Sequence, residues 1–150
     1  MGDRDTGNDA DQSPFERPVR DVVLGAVAFK PTWVNKDDIP PFAPIPGLVM
    51  QSLTGEAIMI NWVTIQPRQV VPWHQHANEQ AGVMLEGALE LTVGEETRLM
   101  RPGDAYTIPP DMPHSARTLE EGCVVLDIFS PPRADYAAHG VGWRGERNDP

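Results

Sequence analysis

The stretch Val71-Pro72-Trp73-His74-Gln75-His76-Ala77-Asn78-Glu79-Gln80-Ala81-Gly82-Val83-Met84-Leu85-Glu86-Gly87 decides how the rest of the chain is read. His74 and His76 stand at i and i+2. Alternate side chains of a strand share a face, so both imidazoles point the same way. Gln80 follows the polar break Ala77-Asn78-Glu79. A strand resuming there lines Gln80, Gly82 and Met84 along one face and turns Glu79 outward as a solvated rim residue. A third histidine, His114, closes Pro109-Pro110-Asp111-Met112-Pro113-His114. Separated histidines are ordinarily surface or core residues satisfied by hydrogen bonds. Three imidazoles and one amide oxygen brought together make a site for a divalent metal.

Outward from this stretch, short apolar segments alternate with turns. Upstream, residues 49–54 end at Gly55, and residues 57–66 are apolar almost throughout until Pro67-Arg68. Downstream, Leu89, Leu91 and Val93 alternate with Glu90 and Thr92, a half-buried strand closed by Gly94. Residues 97–100, 105–108, 113–118 and 123–129 read as further strands, and residues 135–139 as one helical turn. Strand after strand with no long helical pattern predicts an all-β sandwich or barrel. Residues 22–29 read as a first strand. Pro31, Pro40, Pro41, Pro44 and Pro46 exclude a helix and a central strand. An irregular wrapping segment is expected there, anchored by Trp33, Ile39 and Phe42. The expected divisions are a flexible tail over 1–18, a strand and proline-rich segment over 19–47, the barrel over 48–138, and a loose tail over 139–150 in which His139 is exposed.

The chain of 150 residues is long enough for one domain with a sizeable core, and its 16 Pro and 13 Gly suit a turn-rich β protein. A net charge of −10, with no basic stretch, argues against nucleic acid as partner. An anionic substrate would need a local cation. Cys123 is the single cysteine, so no internal disulfide forms, and its apolar neighbours make it a small buried hydrophobe. No apolar signal segment or membrane-spanning run is present, so the expectation is a cytoplasmic protein with no membrane partner. The proline-rich segment and the sheet edges need cover, which predicts a homodimer.

In Val125-Leu126-Asp127-Ile128-Phe129 alternation sets Val125, Asp127 and Phe129 on one face. A carboxylate inside an apolar strand is costly to bury without a partner or a task. Arg133 follows Ser130-Pro131-Pro132, an extended linker that holds it near the rim with a planar fork suited to a carboxylate.

His74-x-His76 with Gln80 and Gly87 resembles the first cupin motif, and Gly103 through Pro109 to His114 resembles the second. The resemblance covers residues 66–131 and implies a double-stranded β-helix (jelly-roll) barrel with a metal in its mouth. Gln80 stands where many members have Glu. Arg68 and Asp111 stand where glycine is usual, and Thr118 where Asn is usual. The HxHxxxQ pattern and residues 125–136 are similar to a narrower cupin group, the pectin-degradation proteins acting on unsaturated monouronates. That likeness implies one divalent ion (Zn, Ni, Mn or Fe) held by His74, His76, Gln80 and His114. It also implies a catalytic Asp127, a nearby Phe129, and Arg133 for the carboxylate of a small sugar substrate. The expected reaction opens a 4,5-unsaturated uronate to its linear keto-aldehyde. The alternatives are a metal-dependent dioxygenase and a non-catalytic sugar-binding module.

Overall fold

The computed structural model describes residues 31–143. The expected strand over 22–29, the tail over 1–18 and the end of the chain from 144 lie outside the described residues. Eleven strands are present among them: β1 (Phe42–Ile45), β2 (Leu48–Thr54), β3 (Met59–Ile65), β4 (Val70–His74), β5 (Glu79–Gly87), β6 (Leu89–Val93), β7 (Glu96–Met100), β8 (Ala105–Ile108), β9 (His114–Arg117), β10 (Cys123–Ser130) and β11 (Val141–Gly142). One helical turn, α1 (Ala134–Ala137), stands between β10 and β11. A seven-stranded sheet runs β1-β2-β3-β10-β5-β8, with β11 also on β2, and a four-stranded sheet runs β4-β9-β6-β7. All pairs are antiparallel except β11 with β2. The architecture is the expected all-β, two-sheet barrel.

Period-2 alternation places the core. In β10, Cys123, Val125, Asp127 and Phe129 are buried and the residues between them are half-buried. In β5 the buried set is Gln80, Gly82 and Met84, while Glu79 is exposed. Met50, Val63, Met84, Leu91, Met100 and Val125 belong to one cluster between the sheets. Burying side chains of this size stabilises by about 1.5–3 kcal/mol each, the main favourable term of the fold.

The proline-rich segment is more regular than expected. Phe42–Ile45 is an edge strand on β2, and Lys36–Asp38 is a 3-10 turn capped by the Asn35 side chain. An edge tolerates Pro44 because one side of its backbone needs no ladder partner. Ile39 is buried as an anchor, whereas Trp33 is 90% exposed and does not anchor the segment to the described residues. β4 stops at His74, after a register shift that begins beyond Val71, next to Pro72. The described part of the tail expected to be loose, residues 139–143, closes back instead: Gly140 is buried and β11 pairs with β2. His139 is exposed as expected, yet its ring stacks on Phe42 at 4.6 Å.

Departures from the family pattern acquire physical accounts. Arg68 and Asp111, at the two positions where glycine is usual, take φ of 56° and 59°. That left-handed region is what favours glycine there. Thr118 is buried; its hydroxyl donates to Gln66 O at 2.5 Å and accepts from Gln69 N at 2.9 Å, so it ties the loop before β4 to the end of β9.

Candidate metal centre

β4 and β9 are hydrogen-bonded neighbours, and His74 faces His114 directly in their register. His76 lies two residues beyond β4. The ring centroids are 4.1 Å apart for His74–His114, 5.1 Å for His76–His114 and 5.9 Å for His74–His76. One ring nitrogen from each histidine lies within 4.8 Å of the others. Each ring is oriented by the backbone: Nδ1 of His74 meets Pro72 O at 2.7 Å, that of His76 meets Asn78 O at 3.0 Å, and that of His114 meets Met112 O at 2.7 Å. A carbonyl only accepts, so Nδ1 carries the proton and Nε2 of each neutral ring keeps its lone pair.

Gln80 completes the set. Its Oε1 lies 3.2 Å from His76 Nε2. Its amide also acts on Asp127, holding down the pKa that burial raises. Two acceptors at that separation repel each other unless something positive lies between them. Two ligand atoms each about 2.1 Å from one ion come to a similar spacing. His114 is 3% exposed, and its Nε2 has no hydrogen-bond partner. Burial holds the His76 and His114 pKa values below the usual imidazole range, with the Arg133 charge lowering His76 further. Both rings therefore stay in the neutral, ligating form. Geometry, tautomer and the orphaned nitrogen all fit a divalent cation. With no anionic ligand, such a cation would keep its full charge as a Lewis acid.

The other three expected residues border the same space. A cavity of about 250 Å³ is lined by His74, Gln80, His114, Asp127, Phe129 and Arg133, over a floor that includes Leu48, Met50, Val63, Leu91 and Val125. Asp127 is 8% exposed, and burial raises its carboxyl pKa to about 6 against the opposing hydrogen bonds from Tyr106 and Gln80. The Phe129 ring meets the His76 ring edge-on at 5.4 Å. Arg133 is no open linker residue: its side chain is 17% exposed and forms a two-point ion pair with Asp135 at 2.8 and 3.3 Å. The guanidinium lies 4.1 Å from the Tyr136 ring centroid and 5.6 Å from that of Phe129.

Two cavity residues, Tyr106 and Tyr136, escaped the sequence reading. Tyr106 donates its hydroxyl to Asp127 Oδ1 at 2.5 Å. The available signal was a tyrosine inside a short strand, whose hydroxyl needs a partner when buried. Nothing in local spacing says which partner.

Comparison with known proteins agrees with this geometry. The profile of a family described as "Cupin domain" matches residues 61–129. The pectin degradation protein KdgF of Dickeya dadantii (strain 3937) is 38% identical over 64 residues, 42% of this chain and 58% of that protein. The H2HPP isomerase of Bacillus subtilis is 38% identical over 66 residues, 43% of this chain and 28% of that protein. The chain thus spans little more than half, and under a third, of the lengths of these two relatives. Among solved structures, KdgF from Halomonas sp. superposes with a TM-score of 0.67 at 28% identity, covering 71% of this chain and 99% of that one.

Proposed function

This chain belongs to the cupin superfamily, with pectin-degradation proteins among its relatives, and from that premise we propose that it is a metal-dependent enzyme opening the ring of 4,5-unsaturated uronates. The observation that carries the reading is the meeting of a histidine cluster, a buried carboxylate and a guanidinium at one cavity.

His74, His76, Gln80 and His114 would hold the ion, which supplies Lewis-acid stabilisation of a developing oxyanion when bound. Asp127 takes the proton of the C1 hydroxyl. The bond between C1 and the ring oxygen breaks, leaving an aldehyde at C1 and an enolate at C5. Asp127 returns the proton to C4, giving the linear keto-aldehyde without redox change or added water. Arg133 binds the substrate carboxylate in exchange for Asp135. Phe129 shapes the pocket and excludes water. The carbohydrate is a small monosaccharide, the protein acts as a homodimer, and its setting is cytoplasmic, where a reduced Cys123 persists. The apolar outward residues Val49, Ile58 and Leu85 support the dimer.

The test supplies unsaturated galacturonate to metal-loaded protein and follows loss of its ultraviolet absorbance. No acceleration over buffer removes the reading. The apolar floor favours a second reading, in which the substrate is an unsaturated carboxylic acid with an apolar far end. Tighter binding of an aryl-substituted keto acid than of a uronate would select it.

A further inference from the structure

We propose that Tyr106 is a positioning residue for Asp127: its hydroxyl, bonded to Oδ1, fixes how the carboxylate meets a molecule in the cavity. The inference rests on Asp127 being the acid–base group of the reaction above.

The registers of the large sheet carry the argument. Ser52, Asn61, Asp127, Gly82 and Tyr106 face one another in a single row across β2, β3, β10, β5 and β8. The adjacent inward row, Met50, Val63, Val125 and Met84, is wholly apolar. Buried polar side chains thus occupy this row and are absent from that apolar one, with Asp127 in the middle of the polar row. Asp127 and Tyr106 are on strands that do not touch, because β5 lies between them. Their contact exists only because the residue between is Gly82. A Cβ there would sit 2.2 Å from the Tyr106 ring carbon that carries the hydroxyl, and 2.3 Å from the hydroxyl itself. Removing one side chain from β5 opens a channel through which the phenol reaches the carboxylate.

The contact has the character of a charge-assisted bond, short at 2.5 Å. Burial first, and the Asp127 charge second, push the Tyr106 hydroxyl well above its ordinary range. It therefore remains a donor wherever the protein is folded. From the other side Asn61 accepts from Ser52, while its amide nitrogen, fully buried, has no hydrogen-bond partner. The phenol is thus the strand-borne donor that fixes Asp127 from the β8 side. Small errors in the placement of a reacting group cost rate far out of proportion to the displacement.

The test uses full-length, metal-loaded Tyr106→Phe and Gly82→Ala, the second keeping the hydroxyl but crowding the ring. Expected are falls in kcat of about ten-fold or more, with KM within about two-fold and metal content equal to wild type. Unchanged kcat in both variants, or a loss that merely tracks metal content, overturns the proposal. If Tyr106→Phe fails to fold, Gly82→Ala decides. A readout free of substrate is the downfield hydroxyl proton in NMR spectra. It is expected in wild type and in Tyr136→Phe, and absent from Tyr106→Phe and Asp127→Asn. Its absence from wild type overturns the proposal. No turnover by the wild type counts against the uronate reading instead, and the hydroxyl proton then decides for Tyr106.

Discussion

His114 Nε2 is a buried acceptor without a hydrogen-bond partner, a condition that costs about 1–3 kcal/mol. A site that tolerates this is built for something other than folding. His114→Ala is expected to lower bound metal at least ten-fold, measured by elemental analysis after gel filtration, while circular dichroism keeps its β signature. Unchanged metal content would dissolve the centre. Cys123 is the opposite case, a buried polar atom with no task. Burial, then the Asp127 charge, push its thiol up to about 12. A raised thiol pKa leaves little thiolate at neutral pH, so reaction with iodoacetamide at pH 8 is expected only after denaturation, when one equivalent is taken up. Labelling of the native protein at the denatured rate would contradict that.

Among the elements, β11 gives the sharpest prediction. Gly142 has φ of +100°, and a Cβ there would approach Thr54 O to 2.2 Å. Gly142→Ala should therefore strain or release β11, costing about 1–3 kcal/mol, read as a lower urea midpoint with metal binding retained. An unchanged midpoint would mean that the two-residue pairing carries no stability. The same element marks where sequence reading ends. Alternation exposed β5, β6 and β10, because their inward and outward residues differ in kind. It set His74 beside His76 and aimed Asp127 inward. It could say nothing of β11, whose pairing is made by backbone alone. β1 was hidden by Pro44, which forbids a central strand but not an edge. Trp33 misled because a large aromatic side chain suggests burial, yet it is almost fully exposed. Tyr106 reaches Asp127 over an intervening strand, a relation fixed by three-strand register rather than by any local pattern. The pairing of His74 with His114 is likewise tertiary, and only the family pattern anticipated it.

For the molecule as a whole, a cation bound by the folded state alone adds stability by mass action, about 2.7 kcal/mol at one hundred times Kd. Chelation is thus expected to lower Tm by about 5–10 °C for a chain of this size, and added Zn, Ni, Mn or Fe(II) to restore it. A melting curve indifferent to chelator would argue against a resident ion. Sedimentation should give twice the chain mass of 16.5 kDa if the homodimer forms, and a single-chain mass would refute it. No helix among the described residues is long and apolar enough to cross a membrane. The three imidazoles hang by Nδ1 from carbonyls of the framework itself, at Pro72, Asn78 and Met112. The shape of the receptacle is therefore set by the framework, so emptying and refilling it should be a matter of diffusion and exchange, with no segment of chain having to find its shape again.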